Sequence, residues 1–229
     1  MNTKPPVKYI FLILIVFFGL KFATPYYQDY QMEQDLNKIP IVKVIKHYDM
    51  EKYKLLLNNA KLYKNNVIDE VYYKNFFNDI VSPLVTNAMS KIYLFADENL
   101  IMEYSNFVKN INSQLKPEDC YSFFDPFEKN RIKYLNKELK NSYIFIQGKI
   151  LRAFYENNEY SIIDDKKAMN DSKMYIEKAI AESKIDNEAL TRRFPSEKQK
   201  EMICKFHKSI YENMLKDKRV DLLRKNLME

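Results

Sequence analysis

Glycine scarcity is the feature that most limits the folds open to this chain, because only Gly19 and Gly148 occur in 229 residues. Tight β-hairpins and β-bulges rely on glycine, since they need positive φ angles that other residues adopt at a cost. Helical connections tolerate its absence better. Apolar residues also recur every three or four positions along most of the chain. The sequence therefore predicts an all-α fold, an irregular bundle of six or seven helices.

An apolar run at the N-terminus, residues 9–20 (YIFLILIVFFGL), indicates a membrane-directed segment. Twelve helical residues span about 18 Å, short of the roughly 30 Å hydrocarbon core, a length typical of a cleaved signal peptide. Cleavage after Ala23 would, however, place Lys21 where a small residue is required. If Lys8 and Lys21 snorkel, the span extends from Val7 to Ala23. We predict an uncleaved signal anchor or transmembrane segment over residues 1–25, with a cleaved signal and a buried core helix as alternatives.

Charges around this run predict its orientation. Lys4 and Lys8 precede it, so the positive-inside rule keeps the N-terminus cytoplasmic and translocates the rest. The predicted location is the inner membrane, single-pass, with the bulk in the periplasm; the alternative is a secreted or periplasmic protein after signal cleavage. We predict a juxtamembrane linker over residues 26–40, with tyrosines at the membrane interface, and a single helical extracytoplasmic domain over residues 41–229.

Helix boundaries follow from caps and prolines. Ser82-Pro83 predicts a helix start, with apolar spacing kept as far as Lys116-Pro117. A helix is also predicted over residues 41–63, although IVKVI alone fits a strand. Residues 128–157 predict one long helix or two, with a break near residues 141 and 142. Residues 161–184 predict an amphipathic helix whose apolar face holds Ile162, Met169, Ile176 and Ile180. Pro195-Ser196-Glu197 predicts the start of another helix, which carries Ile203, Phe206, Ile210 and Met214.

Cys120 and Cys204 are the only cysteines and are the candidate disulfide. An even cysteine count in an exported protein favours a bridge, and this bridge would tie the middle of the domain to its last third. The alternative is two buried thiols that act as small apolar side chains, which becomes the preferred interpretation if the chain is not exported.

Few residues could carry chemistry. Cys204 and His207 share a helix face, which fits a metal pair or an activated thiolate, and Cys120, Glu118 and His47 could complete a metal site. Nothing in the sequence brings these residues together, and a disulfide would consume both sulfurs. Asp164-Asp165 point about 100° apart on a helix and fit first-turn acids better than paired catalytic carboxylates. Two glycines also exclude the glycine-rich phosphate loops. We predict no catalytic, cofactor-binding or metal-binding residues.

The charge and aromatic patterns give little further information about function. The net charge of +6 is spread among alternating acids, which does not indicate nucleic-acid binding; only the C-terminal third is enriched in Lys and Arg. The aromatic stretch Tyr121, Phe123, Phe124 and Phe127 fits core better than an exposed recognition patch.

These patterns predict a non-enzymatic, membrane-anchored helical interaction protein of the bacterial cell envelope, with a protein partner and no cofactor. Two alternatives stay open. One is an envelope enzyme with an unrecognised helical site, for which Cys204 and His207 are the candidates. The other is a domain that binds anionic lipid or an envelope polymer through the basic C-terminal third.

Overall fold

The computed structural model describes residue 27 and residues 29–125, 128, 131–156, 165–186, 189 and 195–227, with the backbone alone for 165–169. Within these ranges every regular element is helical and no strand occurs, which confirms the all-α prediction. The predicted anchor, residues 1–25, lies outside the described residues. The helices in chain order are α1 (29–37), α2 (Pro40–Tyr48), α3 (Met50–Lys64), α4 (Glu70–Met89), α5 (Ile92–Phe95), α6 (Glu98–Gln114), α7 (Pro117–Phe124), a 3-10 helix (Arg131–Tyr134), α8 (Lys137–Glu156), α9 (Asp165–Ser183), α10 (Glu197–Lys216) and α11 (Val220–Asn226).

The chain divides into two compact units, Met1–Ile80 and Val81–Glu229, which we name unit 1 and unit 2. The boundary falls inside α4, where the sequence shows no change of composition. Residues 29–37, part of the predicted linker over residues 26–40, form helix α1 and bury Met32 and Leu36. The prediction of one domain over residues 41–229 stays a prediction.

The core of unit 1 forms where α2 packs on α3. Val42 and Ile45 of α2 and Leu56 of α3 are almost fully buried. Asp49 separates the two helices because its carboxylate accepts the backbone N–H of Lys52 at 3.1 Å and so caps α3. Residues 41–63 are helical, as predicted, but they form two helices divided at Asp49 and not one, and IVKVI is not a strand.

The core of unit 2 forms around α10, which packs against α6, α7, α9 and α11. The helix start predicted at Pro195-Ser196-Glu197 is confirmed, and Ser196 and Gln199 form a capping box there. Its predicted apolar face is buried as well: Ile203, Phe206, Ile210 and Met214.

The predicted helix start at Ser82-Pro83 is wrong. Pro83 lies inside α4, which begins at Glu70 because the Asp69 carboxylate accepts the Tyr72 N–H at 2.7 Å. The predicted helix up to Lys116 is also divided, since Asp97 caps a new helix, α6, by accepting the Leu100 N–H at 2.7 Å. Polar caps of this kind explain why the described ranges hold more helical segments than the six or seven predicted.

Two further expectations concern α8 and α9. No break occurs near residue 141, since α8 runs unbroken from Lys137 to Glu156. In α9 the predicted apolar face is wrong by one position: Tyr175 and Ala179 are buried, whereas Ile176 is 37% exposed. The side chains of Ile162 and Met169 lie outside the described residues.

Part-buried polar contacts accompany the apolar contacts between α9 and the end of unit 2. The Tyr175 hydroxyl donates to Asp217 at 2.8 Å, and the Ser209 hydroxyl of α10 donates to Glu182. Near the end of α10, Arg219 pairs with Asp171 at 2.7 Å. Hydrogen bonds and an ion pair therefore stabilise the α9–α10 seam, which explains why apolar spacing failed to predict it.

Candidate functional site

Cys120 of α7 and Cys204 of α10 lie with their sulfurs at disulfide distance and their Cα atoms 6.2 Å apart. Both residues are buried, at 0% and 6% exposure. The structure therefore confirms that this predicted pair comes together. A bond here encloses a sequence separation of 84 residues and links α7 to the central helix of unit 2.

Polar oxygens surround this pair. The Cys120 sulfur lies 3.2 Å from the side-chain oxygen of Asn112, and the Cys204 sulfur lies 3.5 Å from the Pro117 carbonyl oxygen. A bonded sulfur has no hydrogen to donate, whereas a thiol or a hydroxyl at either position would meet an acceptor. The surroundings of the sulfurs are thus compatible with serine replacements.

His207 follows Cys204 by one helical turn but does not face it as a catalytic partner. Its ring stacks on Phe124 of α7, with centroids 4.9 Å apart and planes 17° apart, and meets Phe206 edge-on. Burial among these rings lowers the pKa of His207 to about 4, because the protonated imidazole loses its hydration. At neutral pH the ring is uncharged and serves to pack α7 against α10.

The other candidate metal ligands are His47, in unit 1, and Glu118, in the first turn of α7. His47 is an exposed residue of unit 1 whose ring meets Tyr48 edge-on. Among the described residues, no group of three or more His, Cys, Asp or Glu side chains could hold a metal ion. Asp165 opens α9, as expected of a first-turn acid, and Asp164 lies outside the described residues.

The aromatic stretch of α7 is core at Phe123 and half-buried at Tyr121 and Phe124. Phe123 is 3% exposed and Phe124 packs on His207. Tyr121 is half-buried, with the Lys200 ammonium 5.9 Å from its ring centroid. Phe127 lies outside the described residues. These contacts, together with the cysteine pair, hold α7 on α10.

Ion pairs neutralise much of the basic C-terminal third. Lys200 and Lys205 each pair with a glutamate one turn away at 2.7 Å, and Arg219 pairs with two aspartates. Arg224 is buried and donates to the Tyr93 carbonyl oxygen at 2.9 Å. Arg192 and Arg193 lie outside the described residues. The described part of this region is therefore a paired, solvated surface more than an open cationic patch.

The turn from α3 to α4 carries a feature that sequence reasoning missed. Asn66 adopts φ 56°, its N–H bonds the Tyr63 carbonyl at 3.0 Å, and the Val67 N–H bonds the Leu62 carbonyl at 2.9 Å. This bonding is a Schellman motif, the usual way to end a helix with a left-handed residue, here asparagine in place of glycine. The Asn65-Asn66 pair was the signal that could have located this turn.

Five large apolar side chains around this turn are exposed, and we name them the apolar end of unit 1: Leu62, Tyr63, Val67, Val71 and Tyr72. Val67 and Val71 are the most exposed of the five, at 66% and 67%, although valine usually favours burial. The Tyr63 ring stacks on Tyr73 at 4.9 Å, which fixes the end of α3 beside the start of α4. Contiguous exposed apolar residues of this kind mark interaction surfaces.

Helix α1 approaches the same region of unit 1. The Asp29 carboxylate pairs with Lys61 at 2.7 Å, one residue before Leu62. Glu33, one turn later, accepts from Lys46 at 2.8 Å and from the Tyr53 hydroxyl at 3.3 Å. The start of α1 therefore lies beside the apolar end of unit 1.

Comparisons with known proteins leave the geometry as the only guide to function. A scan against protein-family models finds no match, and searches of curated proteins and of solved structures likewise find none. Within the part of the chain that the structure describes, no helix has the length and apolar character needed to cross a membrane.

Proposed function

We propose that this chain is a membrane-anchored helical interaction protein of the bacterial cell envelope, which acts by binding another envelope protein and not by catalysis. Residues 1–25 anchor it in the inner membrane with the N-terminus in the cytoplasm. The helical units lie in the periplasm.

The cysteine pair is the observation that carries this proposal. Cys120 and Cys204 come from helices far apart in sequence, are both buried, and lie at disulfide distance. Disulfides form and persist in oxidising compartments and are rare in the cytosol. The uncharged run over residues 9–20, with lysines on both sides, supplies the means of export.

Unit 2 exposes two large side chains that support protein binding. Phe145 of α8 is 50% exposed and Met174 of α9 is 59% exposed. Aromatic and methionine side chains are enriched at protein interfaces, where they contribute large contact areas. The bond between α7 and α10 would hold the helices of this unit in a fixed arrangement and so lower the entropic cost of binding.

The location is tested by fusing, after Glu229, a reporter enzyme that is active only outside the cytosol. We expect an active reporter, and an inactive one when residues 7–23 are deleted. In the same cells, Cys120 and Cys204 should resist alkylation until a reductant is added. A cytosolic reporter, or thiols that react in the denatured protein without reductant, would contradict the proposal. The mass of the N-terminal peptide distinguishes an uncleaved anchor from a cleaved signal.

The partner is tested with photo-crosslinking amino acids at Phe145 and Met174 in intact cells. We expect a discrete crosslinked product from at least one position. The same group at Lys205, an exposed residue of α10 paired with Glu201, is the matched control and should give no product. Absence of a product from Phe145 and Met174 alike would remove the support for protein binding by unit 2.

A further inference from the structure

Local backbone and ring contacts define the structure of the apolar end of unit 1. The Schellman motif at Asn66 sets Val67 beside Leu62, and the Asp69 cap starts α4 so that Val71 and Tyr72 follow directly. The Tyr63–Tyr73 stack holds the two helices together at this point. A defined backbone thus presents aliphatic and tyrosine side chains side by side.

The predicted anchor reaches unit 1 at this end. Leu20, the last residue of the apolar run, precedes Tyr27 by seven positions, which span at most about 25 Å when fully extended. Tyr27 and Tyr30 are 61% and 60% exposed, and the Asp29–Lys61 pair places them near the apolar end. A chain anchored through residues 1–25 would therefore hold this surface within a short distance of the bilayer.

The charge of unit 1 favours an apolar mode of contact. Residues 27–80 contain eight lysines and eight acidic residues, so no net charge draws them to anionic lipid. Tyrosine is enriched at membrane–water interfaces, where its amphipathic ring lies at the level of the lipid headgroups. The combination of tyrosine with valine and leucine matches the composition of that interface.

From these three observations we infer that the apolar end of unit 1 lies in the interfacial layer of the bilayer that holds the N-terminal segment. The partner is the lipid surface itself. This inference rests on the membrane anchor of the proposed function. It adds a second attachment point, which fixes unit 1 against the membrane and leaves unit 2 to meet the protein partner.

The absence of tryptophan from the chain allows a direct test. Val67→Trp places a single tryptophan in the apolar end, and Met174→Trp places one at a similarly exposed position in unit 2. Each full-length variant is reconstituted into phosphatidylcholine vesicles with or without brominated acyl chains. We expect bromolipid to remove most of the Val67→Trp emission, with a blue-shifted maximum, and to leave Met174→Trp unaffected. Because the contact is apolar, high salt should not restore the emission.

Each other outcome has a definite meaning. If the protein floats with the vesicles but neither tryptophan is quenched, the inference is overturned and the anchor stands. If the protein does not float, the anchor of the proposed function fails and the inference falls with it. Val71→Trp provides a second reporter, and circular dichroism confirms that each variant is folded. A blue shift at Val67→Trp without lipid quenching, together with crosslinks between copies, would assign the surface to a second copy and overturn the lipid assignment.

Discussion

Unit 1 and unit 2 are both small helical bodies, but different kinds of contact stabilise them. Unit 1 contains no cysteine, relies on a modest core around Val42, Ile45 and Leu56, and leaves its apolar end exposed. Unit 2 holds both cysteines, a polar seam between α9 and α10, and a central helix with neighbours on several sides. Unit 2 thus joins its helices through the cysteine pair and through polar and apolar contacts, whereas unit 1 leaves a group of apolar side chains exposed at one end.

Removal of the bridge should weaken unit 2 most. For the double variant Cys120→Ser/Cys204→Ser we expect a loss of about 4 kcal/mol in the free energy of unfolding, the chain-entropy value for a loop of about 85 residues. Serine at position 120 keeps a partner in the Asn112 side-chain oxygen, so the fold should persist. Urea unfolding followed by circular dichroism measures the loss, and reduction of the unmodified protein should reproduce it. A loss below about 1 kcal/mol would contradict a stabilising bond between the two cysteines.

Truncation of the core should weaken unit 1 by a smaller amount. Leu56 is 1% exposed, and its neighbour Leu55 is 50% exposed on the same helix. We expect Leu56→Ala to cost about 3 kcal/mol through lost burial and a cavity, and Leu55→Ala less than about 0.5 kcal/mol. Chemical unfolding of the two variants side by side gives both values. Equal losses would mean that the α2–α3 core is not what stabilises unit 1.

Acid should weaken unit 2 through His207. Its pKa falls from an ordinary 6.5 to about 4 in the fold, so the unfolded chain binds a proton first as the pH drops. The stability contribution is therefore complete above pH 6.5 and is lost between about pH 6.5 and 4. We expect a loss of about 1 to 3 kcal/mol across this range. His207→Phe, which preserves the stack on Phe124, isolates the effect because the carboxylates titrate in both proteins. Parallel stability curves for the two proteins would contradict it.

Left-handed helix ends should give the smallest effects, with opposite outcomes for different residues. Lys218 ends α10 with φ 52°, where a β-carbon is unfavourable. We expect Lys218→Gly to stabilise unit 2 by about 0.5 to 1 kcal/mol. Asn66→Gly at the end of α3 should give less, because asparagine tolerates this conformation better. The thermal midpoints of the two variants test this order, with Lys218→Ala as a control that should not stabilise.

The sequence predicted those features whose signal is local or covalent. The start of α10 was predictable because the residues that cap it, Ser196 and Gln199, lie within one turn of each other. The pairing of Cys120 with Cys204 followed from the even number of cysteines, but the sequence did not predict which residues surround the two sulfurs. The helical class followed from glycine scarcity, and the three left-handed helix ends, Asn66, Lys184 and Lys218, show that the chain forms such ends without glycine.

The failures share a different origin, since they depend on partners that sequence spacing does not reveal. Ser82-Pro83 resembles a helix start, yet Asp69 provides a cap thirteen residues before Ser82 and the helix continues through the proline. The face of α9 was misassigned because Tyr175 and Glu182 bond to residues beyond position 205. The apolar end of unit 1 was missed because its residues belong to two helices and a turn, and therefore to no single periodic pattern.

The long separation of the two cysteines also bears on the order of events during synthesis. Cys204 follows Cys120 by 84 residues, and α8 and α9 lie between them. If the chain crosses a bilayer from its N-terminus, as we propose, the bond between Cys120 and Cys204 cannot form until α8 and α9 have emerged on the oxidising side. A bond between α7 and α10 is therefore a late step, and before α10 is present the side chains of α7 also lack the ring of His207, which lies on the same helix as Cys204.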